Sequence, residues 1–326
     1  MFKVLAIVLN TYREAIRNRI LYIFVFFALA LMVLSGVAST LAIGEHERIM
    51  RDIGLAGISF FGLMIALFVG IGLVHNDIER KTLYTIVSKP IDRKDFVLGK
   101  FFGLLLTIYV VTLLMTYFFF ATLHFSHYTN SEVMAQTLPH TATSGDFLTY
   151  YLSSFWWAAR DASVSFVLPV TGVVPGDPNE AWLIGVADRT ENLITIIFMT
   201  WIELAIVVAF AVLFSCFSTP FLAFFFTTVM FVIGRLNLDI MRFVDTLTNK
   251  TSFEELTIAG KAAYYFAHGA AVICPNLTYY DLRYDLIYKG ALPGVNFLTH
   301  GVLYGICYAA LVLCLACFIF NRRNFK

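Results

Sequence analysis

His75–Lys100 reads HNDIERKTLYTIVSKPIDRKDFVLGK, a polar, helix-prone stretch between two hydrophobic runs each long enough to cross a bilayer. It carries six Lys or Arg residues, Arg80, Lys81, Lys89, Arg93, Lys94 and Lys100, and short loops rich in positive charge stay on the cytoplasmic side. Asn76 or Asp77 can cap a helix of roughly three turns through Ser88, which Pro90 then stops. Asp92, with Asp95 three residues on, starts a second helix that runs into the next span. Leu83, Ile86 and Val87 form an apolar strip with Tyr84 at its edge, surrounded by Glu79, Arg80 and Lys81. Such a helix, tied to two spans, either lies on lipid headgroups or passes a push from a cytoplasmic partner into the membrane.

The rest of the chain fits that setting. Of 326 residues, 59% are hydrophobic and 14% charged, a balance that predicts an integral membrane protein. The net charge of +1 argues against a nucleic-acid partner, since no basic face is large enough to neutralise many phosphates. Thirteen of the 23 basic residues fall in short segments assigned inside, which predicts cytoplasmic amino and carboxyl termini.

Taken in order, residues 1–19 predict an amphipathic interfacial helix, with Phe2, Leu5, Leu9, Tyr12 and Ile16 opposite Lys3, Asn10, Glu14 and Arg17. Ile20–Ile43 is too long for a signal core and ends in no clean cleavage site, so it is expected to stay as the first span. Ile53–Val74 returns, its Gly54, Gly57, Gly62, Gly70 and Gly72 offering a smooth face for close helix contact. Val97–Leu123 crosses again, so residues 20–123 hold three spans and the loop 75–100. Residues 124–191 read as an extracytoplasmic insert, in which the alternating SVSFVLPV at Ser163–Val170 predicts some strand. Asn192–Phe217 and Pro220–Gly234 form the fourth and fifth spans within 192–235. Segment 236–298 is outside, and Ile258–Cys274 is too short and interrupted for a full span, so a re-entrant or interfacial helix is expected. Thr299–Phe320 is the sixth span within 299–326, closed by Arg322, Arg323 and Lys326. The expected fold is therefore an all-α polytopic membrane protein with six transmembrane helices.

Glu203 is the most informative charge inside a span. Counted from the turn at Ser218–Pro220, Glu203 and Arg235 stand at similar heights on a helical hairpin, which predicts an intramembrane ion pair. A protonated Glu203 or an Arg235 reaching the outer headgroups are the competing readings. His124, His127 and His140 are scattered over a loop, and Cys307, Cys314 and Cys317 share a helix side with no histidine beside them, so no metal site is expected. Cys274 alone would reach the oxidising side, which leaves no internal disulfide.

The run DIERKTLYTIVSKPIDRKDFVLGKFFG resembles the cytoplasmic coupling segment of ABC-2-type transporter permeases, and among them the permeases that serve nitrous oxide reductase maturation. PNLTYYDLRYDLIYKG at Pro275–Gly290 and FNRRNF at Phe320–Phe325 agree with it. The resemblance implies that Ile78, Glu79, Arg80, Leu83, Tyr84, Ile86 and Val87 dock in a groove of a separate ABC ATPase subunit. It also implies pairing with a second copy or a related permease, in a bacterial inner membrane. The chain has no G-x-x-x-x-G-K-[ST] phosphate loop, so ATP and Mg would belong to the ATPase and no cofactor to this chain. The expected function is export of a substrate the sequence does not name, by a subunit that is not itself an enzyme. The alternatives are ATP-driven force transmission to a periplasmic protein through the 124–191 insert, and, more distantly, a membrane-embedded transferase using Glu203, Asp239 or the outer histidines.

Overall fold

The computed structural model describes residues 2–40, 46–79, 93–129, 134, 144–171, 181–250, 258–289 and 293–322. These residues form helices and short connections, and no strand occurs among them. α1 (Phe2–Ile16) is amphipathic and lies against the first turns of α5 (Arg93–Thr129). Two glycines of α5 make this contact possible. A Cβ on Gly99 would stand 2.6 Å from Ile7, and one on Gly103 would stand 2.9 Å from the Val8 carbonyl oxygen. Phe320, near the end of the last helix, stacks on Phe96 at 5.7 Å. The end of that helix, α1 and the start of α5 therefore share one side, called here the near side.

α2 (Arg19–Thr40) starts where the Asn18 side chain accepts a hydrogen bond from the Ile20 amide at 3.0 Å. It is apolar all round and leaves Tyr22, Phe26, Phe27 and Leu34 exposed, as a lipid-facing helix must. α3 (His46–Ile65) passes through one π-helical stretch (Ala66–Gly70) into α4 (Ile71–Glu79), and together they return to the near side. α6 (Ser144–Thr171) packs on the far end of α5 and also touches α7 (Ala181–Ser215). α7 is the hub, with Leu204, Ile206, Val207, Val208, Ala209, Ala211 and Val212 each no more than 2% exposed. After a tight turn, Pro220 opens α8 (Pro220–Arg235) at its first position, where its missing N–H costs nothing. The chain then bends by 60° into α9 (Asn237–Lys250), which pairs with α10 (Ile258–Ile273). A 3-10 turn (Leu277–Tyr280) and α11 (Arg283–Lys289) lead to α12 (Val295–Arg322).

Among the described residues, five stretches are long and apolar enough to cross a membrane: Arg19–Ser39, Glu47–His75, Lys94–Thr129, Asn192–Ser215 and Val295–Arg322. The bent pair α8–α9 makes a sixth if it is counted as one broken span. This is the all-α, multi-pass membrane architecture expected from the sequence. Within it, Thr107, Thr112, Thr116, Thr200, Ser215 and Thr227 each donate their hydroxyl to the carbonyl one turn back, so none carries an unmet donor into lipid.

One detail of the expectation is corrected. Ser163–Val170, read as strand from its alternation, continues α6 as helix. Tertiary packing explains the difference: Ala158, Asp161, Ala162 and Ser165 are all buried, at a helical period, so this face of α6 meets α5 however its neighbours alternate. The span helices also run past the expected limits of the insert, α5 to Thr129 and α7 from Ala181.

Of the five glycines expected to offer a close-contact face, Gly54, Gly57 and Gly62 do so, and Gly70 and Gly72 do not. Cβ atoms on Gly54, Gly57 and Gly62 would fall 2.1 Å from Phe119, 2.9 Å from Leu31 and 2.7 Å from Leu204. Phe119 is fully buried and has nowhere to retreat. Gly54→Ala is therefore expected to destabilise the fold by about 1–3 kcal/mol through overpacking. Gly72→Ala, which meets open space, is expected to be neutral or stabilising by up to about 1 kcal/mol. Unfolding of the two variants in mixed micelles checks the contrast.

Candidate functional site

A charged side chain inside a hydrocarbon-spanning bundle needs a partner, and four charged groups meet beside the middle of the hub helix. Glu203 on α7 is 1% exposed. Arg235, the last residue of α8, reaches it with two nitrogens: Nε lies 2.7 Å from Oε1, and Nη2 donates to Oε2 at 2.8 Å. The guanidinium thus meets both carboxylate oxygens, one through a charge-assisted hydrogen bond and the other as a close ion contact. The third nitrogen, Nη1, pairs with Asp281. Arg283 closes the chain, donating from Nε and Nη2 to the two Asp281 oxygens at 3.0 and 3.3 Å. Phe231, one turn back on α8, lies under the Arg235 guanidinium at 5.8 Å.

The local sequence explains why these groups converge. The 60° bend after Arg235 sends α9 aside and leaves room for the strap at 274–283 to fold back over the end of α8. Asn276 caps its 3-10 turn by accepting from the Thr278 amide, and Thr278 Oγ1 bonds the Arg235 carbonyl. A Cβ on Gly234 would meet the Pro275 carbonyl at 2.7 Å, so only glycine admits the strap this close. Tyr280 donates to the Gly301 carbonyl at 2.9 Å, and the Tyr304 hydroxyl accepts from the Asn276 backbone amide at 3.0 Å, tying the strap to α12. The ion chain forms one wall of a cavity of about 360 Å³ whose other wall is α3, through Ala56, Ser59, Phe60 and Leu63. Four helices thus meet around two cations and two carboxylates.

Asp281 stands outside the spans. Burial alone would raise its carboxyl, but the hydrogen bond from Arg283 and the charges of Arg235 and Arg283 outweigh burial and hold it below the ordinary carboxylate range.

A second ion pair marks the near side. Lys100, the last basic residue of the loop 75–100, is 1% exposed, with Nζ 3.3 Å from Glu14 Oε2 on α1. It ties the interfacial helix to the start of α5. Of the residues expected to couple to an ATPase, Ile78 and Glu79 lie in the last turn of α4, with side chains outside the described set. Arg80, Leu83, Tyr84, Ile86 and Val87 lie outside the described residues. Among the described residues, His124 and His127 have separate partners: His124 Nε2 is 3.2 Å from Ser165 and His127 faces Glu47 at 3.6 Å, while His140 lies outside the described residues. Asp281 and Arg283 were missed by sequence reasoning, although the motif that carries them stood out.

Residues 5–159, from α1 into the middle of α6, match the family described as ABC-2 family transporter protein. No curated protein matches the chain. The resemblance read from the loop 75–100 therefore holds over the amino-terminal stretch: the chain is a multi-pass membrane protein similar there to ABC-2 transporters.

Removing one member of a buried ion pair leaves the other charge uncompensated, at a cost of about 3–5 kcal/mol. Arg235→Met is expected to lower stability by that order, and Glu203→Leu combined with Arg235→Met to recover most of it. A double-mutant cycle of unfolding free energies checks this. The Asp281 pairing contributes fully above its unfolded-state pKa of about 4 and is lost as the pH falls through the lower folded-state value. Acid titration of stability should accordingly be steeper below about pH 4 in the wild type than in Asp281→Asn.

Proposed function

We propose that this chain is the membrane permease subunit of an ABC-2-type transporter, driven by a separate cytoplasmic ATPase subunit and working in export. The observation that carries the reading is the family match over residues 5–159, a stretch that includes the basic loop 75–100 and the helices on both sides of it. The shared near side of α1, the start of α5 and the end of α12, where the basic residues gather, supports cytoplasmic termini in an inner membrane. Two such subunits pair as a homodimer or with a related permease, and each presents its Asp77–Ser88 segment to an ATPase.

In this reading the ATPases bind ATP preferentially in one closed arrangement, and that difference in affinity shifts the membrane subunits. Ile78, Glu79, Arg80, Leu83, Tyr84, Ile86 and Val87 take the push. It travels through α4 and the π-helical stretch into α3, which forms a wall of the cavity beside Glu203 and Arg235. A π stretch is a wider, looser turn often found at functional positions. Here it carries Phe68, whose ring lies 5.4 Å from Phe24 and 5.0 Å from Phe224, so its movement engages α2 and α8 together.

A second reading, force transmission to a partner on the far side without transport, is favoured by one observation. α6 bears an exposed apolar strip, Leu148, Leu152, Phe155 and Trp156, at a helical repeat on the far side. Co-purification separates the steps. Leu83→Asp is expected to abolish recovery of the ATPase with the permease while the variant still folds and inserts. Retained ATPase binding would remove Leu83 from the interface.

A further inference from the structure

A groove of about 640 Å³ opens sideways between α2, the start of α3, α5 and α6. Val33 and Val37 of α2, Met50 of α3, Phe118 of α5, and Phe155 and Ala159 of α6 line it. We infer that it holds one acyl chain of a phospholipid from the far-side leaflet, and that the site is built into the bundle rather than being part of the general lipid-facing surface.

Four observations on the groove converge. Its depth is set by its walls: it follows α5 from Tyr117 to Thr129, beside the last turns of α2 and the first turns of α3, where Glu47 meets His127 at 3.6 Å. That is the far end of three spans, at the level of one leaflet. Its opening faces lipid, for Val33, Val37 and Phe155 are 51, 57 and 64% exposed and continue the face on which α2 shows Phe26, Phe27 and Leu34. Its lining is mostly apolar: aliphatic and aromatic side chains dominate, and the hydroxyls of Tyr117, Thr122 and Thr129 are already donated to backbone carbonyls. A slot lined this way suits a hydrocarbon chain lying parallel to the spans. Its size agrees, since about 640 Å³ falls in the range of clefts that hold a small-molecule ligand.

The structure also supplies the reason the slot is empty of protein. Gly36 stands where α2 turns its surface to the groove, and a Cβ there would meet only Met50 Cε, at 3.9 Å. A larger side chain at this position enters the groove without striking backbone. The inference depends on the helices crossing a membrane and not on the transport reading, so each can fail alone.

The test uses the full chain in phosphatidylethanolamine–phosphatidylglycerol nanodiscs doped with a phospholipid carrying a diazirine at mid-chain. After irradiation, adducts are mapped by mass spectrometry, with the exposed α12 positions Leu303 and Leu311 as the bulk-lipid reference. Adducts around Val33–Val37 and Phe155–Ala159 are expected to exceed the reference about fivefold. Gly36→Phe should reduce them to the reference and leave the reference unchanged; Ala159→Phe serves if Gly36→Phe does not fold. Groove labelling equal to the reference in the wild type overturns the inference. So does a disulfide between two chains through Val37→Cys or Phe155→Cys, which would mean that a second copy covers the groove.

Discussion

A carboxylate cannot remain charged in hydrocarbon without a cation beside it, and the far half of this protein is arranged around that constraint at Glu203. The hub helix α7 is buried nearly all round, so Glu203 has no route to water by side-chain extension. Arg235 comes to it from the end of α8, and the arginine's remaining nitrogen demands a second anion, which Asp281 supplies. Each requirement fixes another piece of backbone. The 60° bend after α8, the glycine at 234 and the capped strap at 274–283 are conditions for delivering Asp281 and Arg283 to the place where the charges close.

The near side is held by different physics. There α1 lies on α5 through two glycines and one ion pair, Lys100–Glu14, whose glutamate is 37% exposed. An exposed partner screens and weakens such a pair, so the close helix contact carries more of the attachment than the charges do. Between the two ends the spans touch mainly through aliphatic and aromatic side chains, which can slide by small steps without stranding a polar group. Under the proposed function this division matters. A push entering at α4 meets the loose π-helical turn first, then α3, whose glycines keep it in close contact with α2, α5 and α7.

How much of this could be read from the sequence follows from the range of each interaction. Span positions were legible because about twenty successive apolar residues cannot be explained by local contacts elsewhere. The amphipathic α1 and the break at Pro220 were legible for the same local reasons. The Glu203–Arg235 geometry follows from one short hairpin, where counting residues fixes height, and so it too lay within reach. Asp281 and Arg283 did not, because their height depends on a bend, a 14-residue helix, a second helix and a strap, none of which counting can sum. Ser163–Val170 misled for the opposite reason: its alternation is real, but burial against α5 acts at a helical period and outweighs it.

The exposed faces divide along the same line. A lipid-facing helix needs only to be apolar, and α2 satisfies that with side chains of every shape. A site needs walls contributed by separate elements and a reason not to be filled by the protein itself. The groove at Val33–Val37 meets both conditions, since three spans and α6 supply its walls and Gly36 leaves it open. Leu148, Leu152 and Trp156 on α6, beyond the groove wall at Phe155, form a single exposed helix face and do not meet the first condition. The same apolar composition therefore has different meanings in the two places, and the difference lies in whether neighbouring helices turn a surface into an enclosure.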